Sequence, residues 1–359
     1  MIKHKYIPFH KLGEDTPFIA VDCQHPNAFE LSHWRGVKLN KQLEADTSTA
    51  IVLNAIEQKP PELNDYQYAS VNHFDVDGFL GLWCLLNQEK AIRQQEVIRE
   101  MAELGDFREC DPESPNFTYI LKLVSWINSV ENNRYYPPFG AMYSAEKEVV
   151  SCAEKFEYFL TAFAYVKEHL ATYKMEWEGE YRKVMRDQET YRKKANTEYF
   201  EDIRLLVVRT PEPLHYYALF SESKNADMVL SIYDNNRYEL EYKYSTWINA
   251  FLRNSFPRID LSLLAEKLNK FEKSERKWEA QSIFDTGPIL SLESNKNNKA
   301  ERYNSPFGRT ILPSSIPEEK LIDEVVEFYR NAYKNVDRKN SWSWEEITQV
   351  NKQVVQNLK

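Results

Sequence analysis

The stretch that most constrains this chain is Val71-Asn-His-Phe-Asp-Val-Asp-Gly-Phe-Leu-Gly-Leu-Trp83. It reads as a strand that runs into an acidic turn and then a helix. His73, Asp75 and Asp77 alternate, so in an extended chain their side chains share one face. Gly78 ends the run, where a tight turn needs a residue without Cβ. An open α/β sheet presents ligands at the carboxyl ends of its strands. A His/Asp/Asp set offers the nitrogen and oxygen donors that suit Mn²⁺, Mg²⁺, Zn²⁺ or Fe²⁺. Carboxylates at a strand end are costly to bury unless they are paired or metal-bound. The same residues also fit a plainer arrangement, an acidic turn with Asp75 capping the next helix.

Other parts of the first third supply company. Phe18-Ile-Ala-Val-Asp22 is an apolar run ending in an acid, the pattern of a buried strand. If it neighbours Tyr66–Asn72 in a parallel sheet, Asp22 meets Asp75 and Asp77. His25 follows three residues on, His33 stands beside Trp34 and Arg35, and Asp106 follows Gly105, where a helix should end. A two-metal site needs several bridging carboxylates and one or two histidines, and this set can supply them.

At 359 residues the chain has room for two domains, or one domain with a large insertion. Nine glycines against 22 Tyr, 19 Phe and 8 Trp argue against a Gly-rich nucleotide loop and for bulky aromatic packing. A net charge of −9 gives no global reason to bind nucleic acid, and makes long duplex DNA the least attractive partner. The basic residues of 182–194 are interleaved with acids and read as a solvated helix face. Cys23, Cys84, Cys110 and Cys152 lack CxxC spacing and suit a reducing cytoplasm. There is no signal-peptide core and no apolar run of transmembrane length, so we expect a soluble, cytoplasmic protein with no membrane partner. Long helices and aromatics would permit a homo-oligomer.

Asp46-Thr-Ser-Thr49 carries an N-cap signal for a helix through Ile56, ended by Lys59-Pro60-Pro61. A long helix is expected from Phe79 to Glu103, with Gly105 as its C-cap. Another covers Thr118–Val130. Tyr135–Gly140 reads as a rigid loop. Residues 145–199 read as one helix or a helical hairpin broken near Trp177–Gly179. Strands are predicted at Ile203–Arg209, Leu214–Phe220, Asp227–Tyr233 and Tyr238–Tyr244. Helices follow at Asp260–Asn269, with Asp260 as N-cap, and at Glu318–Tyr333, with a loop over 292–304 and a turn at Ser305–Thr310 between them. The fold class is α/β: a parallel-sheet N-terminal domain, a long helical insertion and a smaller α+β C-terminal domain. The expected boundaries are 1–140 for the metal-site domain, 141–200 for the helical segment and 201–359 for a possible substrate-binding domain.

His73-Phe-Asp75-Val-Asp77-Gly78 followed by an apolar helix resembles the first motif of the DHH phosphoesterase superfamily, which includes exonucleases, exopolyphosphatases and oligonucleotide or cyclic-dinucleotide phosphodiesterases. The resemblance implies a parallel-sheet catalytic domain, two divalent cations (Mn²⁺, or Mg²⁺) and a smaller substrate-binding domain. Carried over residue by residue, it makes His73, Asp75 and Asp77 metal ligands. The naming Asp-His-His motif is absent as such. Its nearest counterpart is Val21-Asp22-Cys23-Gln24-His25-Pro26, which precedes the Asp-x-Asp-Gly motif here and follows it in the family, as in a permuted or strongly diverged relative. Phe74-Asp-Val-Asp-Gly78 also resembles the first motif of haloacid-dehalogenase phosphatases, which would make Asp75 a nucleophile. Against this, Phe79 replaces the usual Thr, Asn72-His73 intrudes on the strand, and no Asp-Asp pair follows. The favoured expectation is metal-assisted hydrolysis of a phosphodiester or phosphoanhydride in a small phosphorylated substrate or short single-stranded nucleic acid. Asp22, His25 and Asp106 would join His73, Asp75 and Asp77 as metal ligands. His33 would be a secondary ligand or general acid, and Arg35 a bidentate contact to phosphate oxygens. Arg258, Arg309 and His215 are further candidates for substrate contact. A non-catalytic binding or scaffold module that keeps the fold is the alternative.

Overall fold

The structure, a computed structural model, describes residues 3–135, 145–223, 225–243, 245–285, 287–293 and 308–358. The loop expected at Tyr135–Gly140 falls outside these residues from 136 on. So do most of the predicted loop 292–304, residues 305–307 of the predicted turn, and Tyr244. The elements, in order, are β1 (Lys5–Tyr6), β2 (Phe18–Val21), β3 (Ala28–Leu31), α1 (Ser48–Gln58), β4 (Tyr68–Ser70), α2 (Val76–Leu86), α3 (Gln88–Arg93), α4 (Gln95–Phe107), α5 (Phe117–Arg134), α6 (Ala145–Glu168) and α7 (Lys174–Lys194). They continue with β5 (Asn196–Phe200), β6 (Leu205–Thr210), α8 (Tyr216–Ser221), β7 (Met228–Tyr233), β8 (Arg237–Tyr242), α9 (Ser262–Asn269), β9 (Trp278–Ala280), β10 (Ile289–Leu292), α10 (Glu318–Ala332) and α11 (Trp344–Leu358). The fold is α/β. The chain divides into two compact units, Met1–Lys183 with Ala250–Leu252, and Val184–Asn249 with Arg253–Lys359. The helical segment set apart in sequence as 141–200 is therefore not a body of its own. Among the described residues no helix is long and apolar enough to cross a membrane.

The first unit holds a four-stranded sheet in the order β1-β4-β2-β3, with every pairing parallel. β2 and β4 are neighbours, so Asp22 and the acidic loop leave the sheet at the same edge. Side chains alternate across β2. Ile19 and Val21 face α1 and α2, where a Cβ on Gly81 would stand 2.8 Å from Val21 Cγ1. Phe18 and Ala20 face the other way, onto Phe9, Leu12 and Tyr68. The six-residue link from β2 to β3 doubles back on that second face without a helix.

The long helix expected from Phe79 to Glu103 is three helices. Asn87 stops α2, its Nδ2 donating to the Trp83 carbonyl at 3.0 Å. Gly105 is not a C-cap: it lies inside α4, which ends at Arg108 in a left-handed conformation. Its role is space, since a Cβ there would stand 2.5 Å from Val76 Cβ. That close approach lets the last turn of α4 lean on the first turn of α2. The break in the later helical run falls at His169–Tyr173, and Gly179 is accommodated within α7. Phe156, Phe159 and Phe163 of α6 pack on Phe74, Phe79, Trp83 and Trp126. This aromatic layer backs the acidic loop and accounts for part of the sequence's Phe and Trp content.

The second unit carries a mixed sheet in the order β5-β6-β7-β8-β10-β9, with β6 and β7 parallel. One face is apolar, with Met228, Leu230, Ile232, Tyr238, Leu240, Tyr242, Leu290 and Leu292 under α9, α10 and α11. The other face packs α8 on Leu206, Val208 and Val229. Leu214–Phe220 is thus largely helix, not strand. Tyr216, Leu219 and Phe220 bury at helical spacing, and His215 caps the helix by accepting from Tyr217 N at 3.1 Å. The N-cap of α9 is Leu261 rather than Asp260, whose Oδ1 accepts from Ser262 N at 2.9 Å.

Gly105→Ala is expected to destabilise the protein by about 1–3 kcal/mol through overpacking. Gly179→Ala, on an exposed helix position with nothing within 4 Å of the new Cβ, should stabilise it by roughly 0.5–1 kcal/mol. Urea unfolding of both variants checks the opposite signs.

Candidate metal centre

Asp22 follows β2 with φ 50°, a left-handed conformation that Asp tolerates better than most residues. That turn aims its buried carboxylate at the helix face of the sheet. Thr47 caps α1, its side chain accepting from Ala50 N at 3.1 Å. Ser48 Oγ donates to Asp22 Oδ1 at 2.6 Å and accepts the His33 N–H at 3.1 Å. Asp77, in the first turn of α2, lies against the N-terminus of α1. Its Oδ2 and Oδ1 accept from Ser48 N (2.7 Å) and Thr49 N (2.9 Å), and Thr49 Oγ1 donates to its carbonyl. Asp75 does cap α2, Oδ1 accepting from Gly78 N at 2.7 Å, while Oδ2 turns to His73. Both readings of that residue hold together. Gly78 lies within α2, and space is what it provides: a Cβ would come within 3.3 Å of Asp22 Oδ2.

The two imidazoles are held alike. His33 Nδ1 meets the Asp46 carbonyl at 2.6 Å, and His73 Nδ1 meets Asn72 Oδ1 at 2.8 Å. Both partners accept, so each Nδ1 carries a hydrogen and each Nε2 faces the carboxylates. His33 Nε2 lies 3.3 Å from Asp22 Oδ1, 3.6 Å from Asp106 Oδ2 and 3.9 Å from Asp77 Oδ2. His73 Nε2 lies 3.3 Å from Asp22 Oδ2 and 3.2 Å from Asp75 Oδ2. A neutral Nε2 would set its lone pair against these anions. The arrangement makes sense only with a proton or a cation between them, and ligating histidines are oriented in this way by acceptors on the other nitrogen.

The donors form two groups, Asp22/His33/Asp77 and Asp22/His73/Asp75, with ligand atoms within 4.8 Å of one another in each. Asp22 belongs to both. The first group is buried, whereas the second opens to solvent, the His73 side chain being 30 % and Asp75 39 % exposed. Asp106, delivered by the last turn of α4, adds a buried Oδ2 with no hydrogen-bond partner. An orphaned carboxylate oxygen beside the His33 imidazole, among hard oxygen and nitrogen donors, fits a divalent cation.

Charge agrees with geometry. Burial disfavours the His33 imidazolium, but Asp106, Asp22 and Asp77 outweigh it and lift the ring to about 10. Burial likewise opposes the His73 cation, and Asp75 with Asp22 holds it well above the usual histidine range. Burial works against Asp22, yet the hydrogen bonds and charges of His33 and His73 pull it well below the ordinary carboxyl. Burial, with the charges of Asp22 and Asp106, pushes Asp77 up. Burial lifts Asp106 to about 7 against the pull of His33.

Of the residues singled out in sequence, Asp22, His33, His73, Asp75, Asp77 and Asp106 converge. His25 does not. The β2–β3 link carries it to the far face of the sheet, where its ring packs between Phe9 and Phe18 and its Nδ1 accepts from Asn27 N at 3.2 Å. Arg35 is buried two residues beyond His33, its carbonyl accepting from Gln24 Nε2 at 3.3 Å. In the second unit Arg309 is buried against Glu239 at 2.7 Å, Arg258 lies over the Tyr242 ring, and His215 is the cap of α8. Sequence reasoning missed Ser48, Thr49, Asn72 and the Asp46 carbonyl. The hydroxyls of 47–49 were visible as a capping signal only, and Asn72 stood out as a polar interruption of its strand.

The chain belongs to a family of unknown function, DUF6687, whose pattern matches residues 2–340. No curated protein and no solved structure matches it.

Ligation requires neutral imidazoles, so a cation bound here would have to displace protons from His33 and His73, and Mn²⁺ serves as the probe. Adding Mn²⁺ to EDTA-treated protein in weak buffer at pH 7.5 should release protons, and affinity should rise with pH towards about 10. The raised His33 value has the opposite consequence without metal. Its stabilising share is complete below pH 6.5 and lost as pH rises through about 10. Calorimetry in buffers of different ionisation enthalpy, with thermal melts across pH, checks both trends.

Proposed function

We propose that the protein is a divalent-metal-dependent phosphoesterase, hydrolysing a phosphodiester or phosphoanhydride of a small or single-stranded phosphorylated substrate with two Mn²⁺ ions. The observation that carries this reading is the Asp22 carboxylate, whose two oxygens each face a different imidazole Nε2 at 3.3 Å, the arrangement of a bridging ligand. Two cations held there supply charge neutralisation on the phosphoryl group and an activated water. Asp22 would be held in common by both ions, with His33 and Asp77 completing the buried group and His73 and Asp75 the open one. Ser48 Oγ keeps the Asp22 carboxylate from rotating, and the Asp46 carbonyl and Asn72 fix the two rings. Asp106, whose buried Oδ2 lies 3.6 Å from His33 Nε2, would add a further carboxylate beside the buried position. A cytoplasmic location suits four cysteines that are buried and free.

One observation weighs against a phosphatase with Asp75 as nucleophile. In that chemistry the second aspartate must reach the leaving group, and Asp77 has both oxygens on backbone N–H groups of α1.

Metal analysis and Mn²⁺-dependent hydrolysis of bis(p-nitrophenyl) phosphate test the reading. Asp22→Asn should lose both ions and more than a hundredfold of kcat/KM, since even outer partners cost roughly 10- to 100-fold. Ser48→Ala should fall within that outer range, and His25→Ala should match the parent. A protein that takes up no Mn²⁺ and shows no thermal shift with it would overturn the proposal.

A further inference from the structure

We infer that the side chain of Asp46 and the backbone of Ala250–Leu252 form a tie that positions His33, so that a segment from late in the chain supports the buried half of the metal centre. Asp46 is thereby a positioning residue. This rests on the reading of the centre as a metal site and adds what holds one of its rings. His33 Nδ1 donates to the Asp46 carbonyl at 2.6 Å, so the place of the Asp46 backbone sets the place of the ring. Asp46 stands outside α1, one residue before the Thr47 cap, and the hydrogen-bond ladder of that helix does not hold it. Its own carboxylate does: Oδ1 accepts from Leu252 N at 2.7 Å, across 206 residues of chain.

Asp46 is buried, and a buried acid is unfavourable without donors of this kind. Ala250–Leu252 counts with the first unit, whereas Asn249 and Arg253 on either side of it belong to the second. The chain thus enters the first unit for three residues and leaves it again. The Leu252 side chain does not explain this excursion, since it is 69 % exposed. Its N–H is what meets a buried partner. The other ring is held by different means. His73 Nδ1 meets Asn72 Oδ1, on the residue next to it, at 2.8 Å. Loss of the tie should therefore loosen the group of Asp22, His33 and Asp77 and leave His73 and Asp75 as they are.

The test uses full-length protein as parent, Asp46→Ala, Asp46→Asn, Leu252→Pro and Leu252→Ala. The first measurement needs no metal. In EDTA-treated protein labelled with ¹⁵N-histidine, the Nδ1–H proton of His33, identified by its loss in His33→Gln, should exchange slowly with solvent. Asp46→Ala deletes the acceptor of the tie and Leu252→Pro its donor, and each should speed that exchange roughly tenfold or more. Asp46→Asn keeps an acceptor oxygen and Leu252→Ala keeps the N–H, and both should stay near the parent. The second measurement is Mn²⁺ titration. The parent should bind two ions, and Asp46→Ala and Leu252→Pro should weaken one of them about 10- to 100-fold while the other keeps its affinity. The double variant should be no weaker than either single one, because both remove the same bond. Parent-like exchange at His33 in both Asp46→Ala and Leu252→Pro overturns the inference alone. So does an equal weakening of both ions, or a Leu252→Ala variant that behaves like Leu252→Pro. A parent that takes up no Mn²⁺ removes the phosphoesterase reading, and the exchange measurement then decides the tie by itself.

Discussion

Everything at the candidate site depends on one carboxylate held between two imidazoles. Asp22 reaches that position because β2 and β4 are parallel neighbours and because its own backbone turns left-handed at the strand end. A carboxylate buried to this degree is unfavourable by itself. Ser48, His33 and His73 offset the cost, and each of them is fixed in turn by a neighbour: the Asp46 carbonyl for His33, Asn72 for His73, and the first turn of α1 for Ser48. The polar shell is layered, and its outer layer is mostly backbone and amide.

The charge balance of this shell sets its chemistry. Four carboxylates, from Asp22, Asp75, Asp77 and Asp106, gather round two imidazoles. Asp77 is satisfied by the fold at both oxygens, through the N-terminal amides of α1 and the partial positive charge there, and Asp22 and Asp75 at one oxygen each, by Ser48 Oγ and Gly78 N. The remaining negative charge is balanced by protons on the histidines or by added cations. A cation entering this cluster would therefore have to exchange with those protons.

Much of this was legible in the sequence because strand ends are local signals. Alternation placed His73 and Asp75 together, and an apolar run ending in Asp22 predicted a second strand end. Whether a residue lies on one face of the sheet or the other was not legible past the strand. His25 is three residues from Asp22, yet the tight β2–β3 link turns it onto the opposite face, and parallel strands joined by so short a link are unusual. Gly105 was readable as a helix breaker, whereas its use is a close contact with a residue 29 positions earlier. Leu214–Phe220 has an apolar run short enough to serve either as strand or as helix, and the neighbours on the second sheet face decided it.

Phe74 lies between two of the candidate ligands, His73 and Asp75, and packs its ring on α6. Its ring sits 4.9 Å from Phe159 and 5.2 Å from Phe156, both on a helix more than 70 residues later in the chain. The ligand loop is therefore clamped by a distant part of its own unit. On the ribosome, residues up to 107 can emerge with every ligand present while the clamp is still unsynthesised. The fixed geometry of this loop thus depends on a helix that the first 107 residues, which carry every candidate ligand, do not contain.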